Sequence, residues 1–191
     1  MEEGGNSWVG TYNPLWYEQD YFTKDPYNPY QDFDRHNAAF TRLIHVMNPK
    51  SVLDVGCAYG YIVKRLLDKG IHAMGCDISE WCEEQSKLII PGHFTKTTAW
   101  DLSCFKDKEF DVLFSEGTLE HIPEDKIDKM VEEFARVAER RYIGLSPNYP
   151  NTRYHVCNHD IEWWFSKMPP NTWLGKTGRS LDQEDQWLVK C

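Results

Sequence analysis

The sequence predicts an α/β fold, a doubly wound and mostly parallel sheet with helices on both faces. Three observations carry that prediction. Short β-rich runs alternate with stretches of helical period about 10–15 residues long, the pattern of βαβ units. The first of these runs closes in a glycine-bearing turn that leads directly into a helix. The 191 residues, 41% of them hydrophobic with Trp 8, Tyr 10 and Phe 9, suffice for one domain with a true core.

The chain opens on an aromatic stretch, residues 8–30, with Trp8, Tyr12, Trp16, Tyr17, Tyr21, Phe22, Tyr27 and Tyr30 broken by Pro14, Pro26 and Pro29. Prolines at this density forbid a long helix, and so many rings are not left wet. Residues 1–31 are therefore expected to form an aromatic arm or lid across a single domain spanning 32–191. From Asp32 to Met47 the spacing of Phe33, Ala39, Phe40, Leu43, Ile44 and Met47 predicts a helix, ended by Asn48-Pro49. Ser51–Val55 reads as the first strand, Tyr61–Lys69 as a helix stopped by Gly70, and His72–Asp77 as the second strand. Ser79 is placed to cap a helix reaching Ile89. A third strand is expected near His93–Thr98, a fourth at Phe110–Phe114, a helix over Pro123–Ala138 and a fifth strand at Arg141–Ser146. Beyond Pro150 the regularity weakens to a short helix at Asp160–Lys167 and an edge strand at Gln186–Lys190. Residues 151–191 leave little room for further strands, so a shortened C-terminal sheet edge is expected, completed by a partner or a second copy, as in a homodimer.

Composition narrows the function classes. No apolar run approaches the ~20 residues of a membrane span. The N-terminus Met1-Glu2-Glu3-Gly4-Gly5 is acidic where a signal peptide is basic, so a cytoplasmic protein without membrane attachment is expected. Six cysteines without a Cys-x-x-Cys pair read as reduced thiols. A formal net charge of -9 argues against a nucleic-acid partner. The one dense basic cluster, Arg136, Arg140 and Arg141, reads as a solvated helix face.

The main chemical signal is the turn after the first strand. Gly56 and Gly60 bracket Cys57-Ala58-Tyr59, and glycine allows close backbone approach to a ligand. Asp54, at the carboxyl end of the strand, disfavours a pyrophosphate and suits an ammonium group. Asp77 stands at the end of the second strand, 17 residues after Gly60, where a carboxylate can accept from both hydroxyls of a ribose.

This Asp-x-Gly-x-Ala-x-Gly pattern resembles the first motif of the class I (Rossmann-like) S-adenosylmethionine (SAM)-dependent methyltransferases, with Ala58 where the usual form has Gly. Gly75-Cys76-Asp77-Ile78-Ser79 is similar to the family's ribose-binding segment, and Leu119-Glu120-His121-Ile122 to its signature after the fourth strand. The resemblance covers roughly residues 40–148 and implies SAM as cofactor. It implies contacts from Asp54, Gly56, Ala58, Tyr59, Gly60, Asp77, Ile78, Ser115 and Glu116. It also implies an adenine contact after the third strand, from Asp101 and Leu102 or, in the commonest spacing, nearer Thr98-Ala99, with Trp100 able to cover the base.

Methyl transfer needs alignment, and a hydroxyl acceptor also needs its proton removed. His121, beside Glu120, is the candidate base, and capping of the next helix is its structural alternative. Trp16, Tyr21, His155, His159 and Trp163 are candidate linings for the acceptor pocket, with core packing the alternative for the tryptophans. The expected acceptor is a small or medium-sized molecule, such as a sugar or natural product, methylated on a hydroxyl or amine. Two other readings stand beside it. Small-RNA 2′-O-methyltransferases and ubiquinone-pathway O-methyltransferases carry Glu-x-x-Glu-His as metal ligands. Here Glu120-His121 match, Gly117 stands at the first Glu position, and His159 would complete the set for Mg or Mn, giving a metal-assisted enzyme acting on RNA ends. The third reading is a non-catalytic SAM-binding scaffold. The preferred reading assigns no metal ligand.

Overall fold

The computed structural model describes residues 12–24, 34–145, 154–176 and 187–191. Trp8, Tyr27 and Tyr30 of the expected arm, and the segment Ser146-Pro147-Asn148-Tyr149, lie outside them.

The arm holds a 3-10 turn at Pro14–Tyr17, capped by Asn13, and a short helix α1 at Gln19–Thr23. Helix α2 (Asp34–Met47) precedes strand β1 (Ser51–Val55). Then come α3 (Tyr61–Asp68), β2 (His72–Asp77), α4 (Glu80–Ile89) and β3 (Phe94–Lys96). Strand β4 (Phe110–Glu116) leads through two 3-10 turns to α5 (Ile127–Val137) and β5 (Ala138–Leu145). Helix α6 (Ile161–Lys167), β6 (Thr172–Lys176) and β7 (Trp187–Lys190) complete the described chain.

The seven strands form one sheet in the order β3-β2-β1-β4-β5-β6-β7. All neighbours are parallel except β6 and β7. The first six follow the doubly wound dinucleotide-fold order, which reverses direction between β1 and β4. In β1, Leu53 and Val55 face one core with α5 and α6, whereas Val52 faces the other with α2 and α3. A strand buried on both faces calls for an apolar run, and within the buried stretch Val52–Val55 Asp54 is the one polar residue.

Two expectations are corrected. The C-terminal edge is not missing its last strands: Pro169-Pro170 and Asn171, in the left-handed region at φ +59°, turn the chain into β6, which β7 then pairs. Nor is the basic cluster a solvated helix face. Arg136 binds Glu133 at 2.8 Å, Asp107 at 2.9 Å and the carbonyls of Phe105 and Leu102. Arg140 grips Asp111 through both carboxylate oxygens at 2.8 and 2.9 Å. Arg141, 3% exposed, donates to the Ala138, Glu139 and Pro170 carbonyls and to Thr172 Oγ1, fastening the β6 turn to β5. All three guanidiniums hold the fold together. Among the described residues, no helix is long and apolar enough to cross a membrane.

Candidate active site

Ligands of open α/β sheets bind at the carboxyl ends of the strands where the order reverses. Here that place is the turn after β1. Gly56 and Gly60 have φ +79° and +88°, and a Cβ on either would run into the Thr118 or Ile90 side chain. A Cβ on Gly75 of β2 would meet Cys57 Sγ at 2.6 Å, so that glycine lets the turn lie down on the second strand. Ala58 itself takes φ +48°, a conformation costing an alanine roughly 1–2 kcal/mol. Its N–H donates to Asp77 Oδ2 at 3.0 Å, which holds the turn there. The departure from glycine thus leaves the turn left-handed.

Asp77 also accepts from Ser79 N at 3.1 Å, at the start of α4, while Ser79 Oγ accepts from Cys82 N. Burial raises the Asp77 carboxyl above the usual range, and the N–H bonds from Ser79, Ala58 and Ile78 oppose this. Asp54 is 3% exposed; burial raises it further, and the charges of Asp77 and Glu116 add to the shift. Three carboxylates therefore crowd one end of the sheet. Such a site repels a pyrophosphate and attracts a cation.

The neighbouring half of the site is built differently. After β4, the 3-10 turn Leu119–His121 presents a 2%-exposed Glu120 whose carbonyl accepts from Val156 N and Cys157 N at 2.9 and 3.1 Å. His121 Nδ1 donates to the Tyr154 carbonyl at 3.0 Å, and Tyr17 Oη donates to the same carbonyl at 3.1 Å. This assigns the proton to Nδ1 and leaves the Nε2 lone pair available. Burial, reinforced by His155 and opposed by the Tyr154 bond, lowers His121 to about 3. Burial lowers His155 to about 4. The two imidazoles meet edge to face at 4.8 Å, and the rings of Tyr17 and Tyr21 close on His121 at 5.4 and 6.3 Å.

The arm ties the halves together. Glu18 accepts from Glu80 N at 3.1 Å and Trp81 N at 2.9 Å, capping α4 from outside. Charged acceptors at a helix N-terminus are favoured by its dipole. Tyr12, its hydroxyl pushed up to about 12 by burial and the Asp77 charge, sets its ring edge-on to Trp100 at 5.9 Å.

Several sequence candidates meet here and others do not. Asp54, Gly56, Ala58, Tyr59, Gly60, Asp77, Ile78 and Glu116 gather at the ends of β1, β2 and β4. Tyr59 packs on Phe22 of the arm and accepts from Trp81 Nε1 at 2.9 Å. Ser115 is fully buried, its hydroxyl bonded to the Val55 carbonyl at 2.8 Å, so it braces β4 to β1. Leu102 lies in the core, its N–H on Glu133 at 2.8 Å. Asp101 is exposed and accepts from Ser103 N at 3.3 Å. Thr98 Oγ1 is instead buried and has no hydrogen-bond partner among the described residues, which favours the Thr98-Ala99 position for an adenine contact.

Of the pocket candidates, Trp16, Tyr21 and His155 belong to the ring cluster around His121 and Tyr154. His159 and Trp163 do not: they stack on each other at 3.7 Å, and His159 pairs with Glu124 at 3.2 Å. His121 also has a different character from the base expected of it, since a conjugate acid near 3 makes a weak proton acceptor at neutral pH. Sequence reasoning missed Tyr154 and Glu18 altogether and did not single out Tyr17 from the arm. Their partners lie 33 to 137 residues away, so no local pattern announces them.

Strand order and acidic turn together define a Rossmann-like domain whose ligand end suits a cationic cofactor. Residues 52–141 match the family described as "Methyltransferase domain". A protein from Pyrococcus horikoshii is similar at 26% identity and TM-score 0.52, over 63% of this chain and 61% of that one. The YcgJ protein of Bacillus subtilis shares the fold at 21% identity and TM-score 0.55, over 69% and 66%. A SAM-dependent methyltransferase from Methanosarcina mazei aligns at 25% identity and TM-score 0.47, over 53% and 55%. The chain thus spans less than two thirds of the length of each. Among curated proteins there is no sequence match. The matched stretch contains the glycine turn, Asp77 and the β4 turn, so the likeness to a methyltransferase domain falls on the candidate site itself.

Proposed function

We propose that the protein is a SAM-dependent methyltransferase that methylates a hydroxyl or amine of a small or medium-sized acceptor. The observation that carries this reading is the convergence of Asp54, Asp77 and Glu116 around the glycine turn, beside the ring-lined His121. SAM supplies an activated methyl group on a sulfonium, so the C–S bond breaks as the acceptor's lone pair forms the new bond, and a proton leaves the acceptor. Asp54 pairs with the cofactor's ammonium, Asp77 with its ribose, and Thr98 with its adenine edge. Arm residues 1–31 act as the lid, with Tyr17 and Tyr21 excluding water above the transfer point. His121 Nε2 accepts a hydrogen bond from the acceptor and orients it, with Glu120 beside it.

A small-molecule or glycan acceptor fits the charge of -9 and the engagement of Arg136, Arg140 and Arg141 within the fold. The six free cysteines support a cytoplasmic setting. A homodimer would find at β7 a strand edge that is unpaired among the described residues. Isothermal titration with SAM and with its demethylated product tests the reading. Micromolar binding of both is expected, and binding of neither would sink it.

One observation favours a metal-assisted version for hydroxyl acceptors. Glu120, His121 and His155 each offer a donor atom, all within 4.8 Å of one another. His155 stands where the sequence pattern suggested His159. With His121 Nδ1 held by a backbone carbonyl, these residues suit a divalent cation, which would lower the pKa of the acceptor hydroxyl. Turnover that survives EDTA removes this version and leaves the first.

A further inference from the structure

Between Tyr154 and Asp160 the chain has no regular secondary structure, and it is held to the β4 turn by Val156 N and Cys157 N, which both donate to the Glu120 carbonyl. It brings His155, Cys157 and His159 beside the two 3-10 turns that hold Glu120, His121 and Glu124. His155 falls opposite Glu120 and His121. Cys157 and His159 fall opposite Glu124, and the donor atoms of these three lie within 4.8 Å of one another.

We propose that Glu124, Cys157 and His159 form a separate site for a borderline divalent cation of the zinc class, distinct from the acceptor site. The donor set argues for the ion. Sulfur, imidazole nitrogen and one carboxylate oxygen make a three-residue set with room for water as fourth ligand, and thiolate selects zinc over magnesium or calcium. A thiolate and a carboxylate would also neutralise its two charges.

Preorganisation is the second argument. Cys157 is 1% exposed, rooted in the apolar core, and its N–H is fixed on the Glu120 carbonyl. The His159 ring is held flat against Trp163 at 3.7 Å and 12°, and its Nε2 lies 3.2 Å from Glu124 Oε2. Asp160, the next residue, caps α6 by accepting from Trp163 N at 2.8 Å. Only the Glu124 side chain, 63% exposed, remains to close over an ion. Burial and the charges of Glu124 and Glu120 push the Cys157 thiol up to about 12. Loading therefore exchanges the S–H bond for a metal–sulfur bond and releases one proton to solvent, so affinity rises with pH. Once loaded, the site would staple the Tyr154 carbonyl and His155 to the turn that carries His121.

Cobalt(II) added to the chelator-stripped full chain tests the proposal, because a cobalt–thiolate bond gives a near-ultraviolet charge-transfer band and a tetrahedral site gives strong visible bands. Both signals are expected at one equivalent, displaced by zinc, lost in Cys157→Ser and His159→Gln, and kept in His155→Gln. The His159 variant serves if the buried Cys157→Ser chain fails to fold, and circular dichroism reports which has happened. Zinc affinity, measured against a chromophoric chelator, should fall roughly a hundredfold in His159→Gln. No charge-transfer band, or a band that survives in the folded Cys157→Ser chain or disappears with His155→Gln, overturns the proposal. These readouts need no SAM, so they fail or succeed separately from the methyltransferase reading.

Discussion

The carboxyl ends of β1 and β2 and the carboxyl end of β4 sit side by side, yet they are made in opposite ways. The first is acidic and built from one short stretch of chain: Asp54, the turn from Gly56 to Gly60, and Asp77 on the adjacent strand. The second sets two imidazoles, His121 and His155, both lowered by burial and so neutral at neutral pH, beside the buried Glu120 carboxyl group, and is assembled from the arm, the β4 turn and the Tyr154 segment. The difference separates the two tasks of a group-transfer site. Holding a cationic cofactor is a matter of fixed charge on rigid strands. Aligning an acceptor is a matter of shape, supplied by rings from three parts of the chain.

Acidification of the metal-free protein should separate the halves most strongly. Both imidazoles titrate lower in the folded chain than their ordinary ~6.5, so the unfolded chain binds more protons as pH falls below that value. Stability is complete above about 6.5 and is lost as pH falls towards 4, by about 3 kcal/mol for His121 alone at the lower end. Urea unfolding at several pH values measures it, and His121→Gln should flatten the slope. An unchanged slope in that variant would show that the β4 half is not the acid-sensitive one.

Next in size is Asp77→Ala. Losing a charged acceptor that also pins Ala58 should weaken SAM binding by roughly a hundredfold, equivalent to about 2–3 kcal/mol. The same variant should barely alter acceptor KM at saturating SAM, which steady-state kinetics can check. A third effect is an absence. With His121 lowered to about 3, the pH profile of kcat should show no inflection near 6.5 that disappears in His121→Gln. Smallest is Glu18→Gln, which weakens the cap on α4 without touching either half. About a three- to tenfold rise in the Kd for SAM is expected, in line with one weakened charged hydrogen bond. Equal loss at the Asp77 and Glu18 positions would mean that the arm, and not the acidic turn, dominates cofactor affinity.

The same contrast explains what could be read in advance. Strands β1, β2, β4 and β5 and the glycine turn were legible because hydrophobic period, glycine and carboxylate placement are local signals. Ser115 and Leu102 share the sequence neighbourhood of the site but face the packing between β4 and β1 and the core, a choice set by strand register. β6 was not legible, because Thr172–Lys176 is a five-residue run whose partner is 31 residues away in register. The sequence places His159 and Trp163 at the acceptor pocket, with His155, because the segment after the fifth strand faces the same sheet edge. His159 lies four residues beyond His155 and reaches a different turn, where it pairs with Glu124 and stacks on Trp163, and only the folded chain reveals that.

The Glu18 clamp has a kinetic meaning. One carboxylate holds the first N–H groups of α4 while the next turn of the arm carries Tyr21 over His121. A molecule lodged between the glycine turn and these rings is therefore expected to leave faster from Glu18→Gln, which stopped-flow dissociation of SAM measures. Residence time would then be set from outside the glycine turn, by a carboxylate whose contacts are with the first N–H groups of α4.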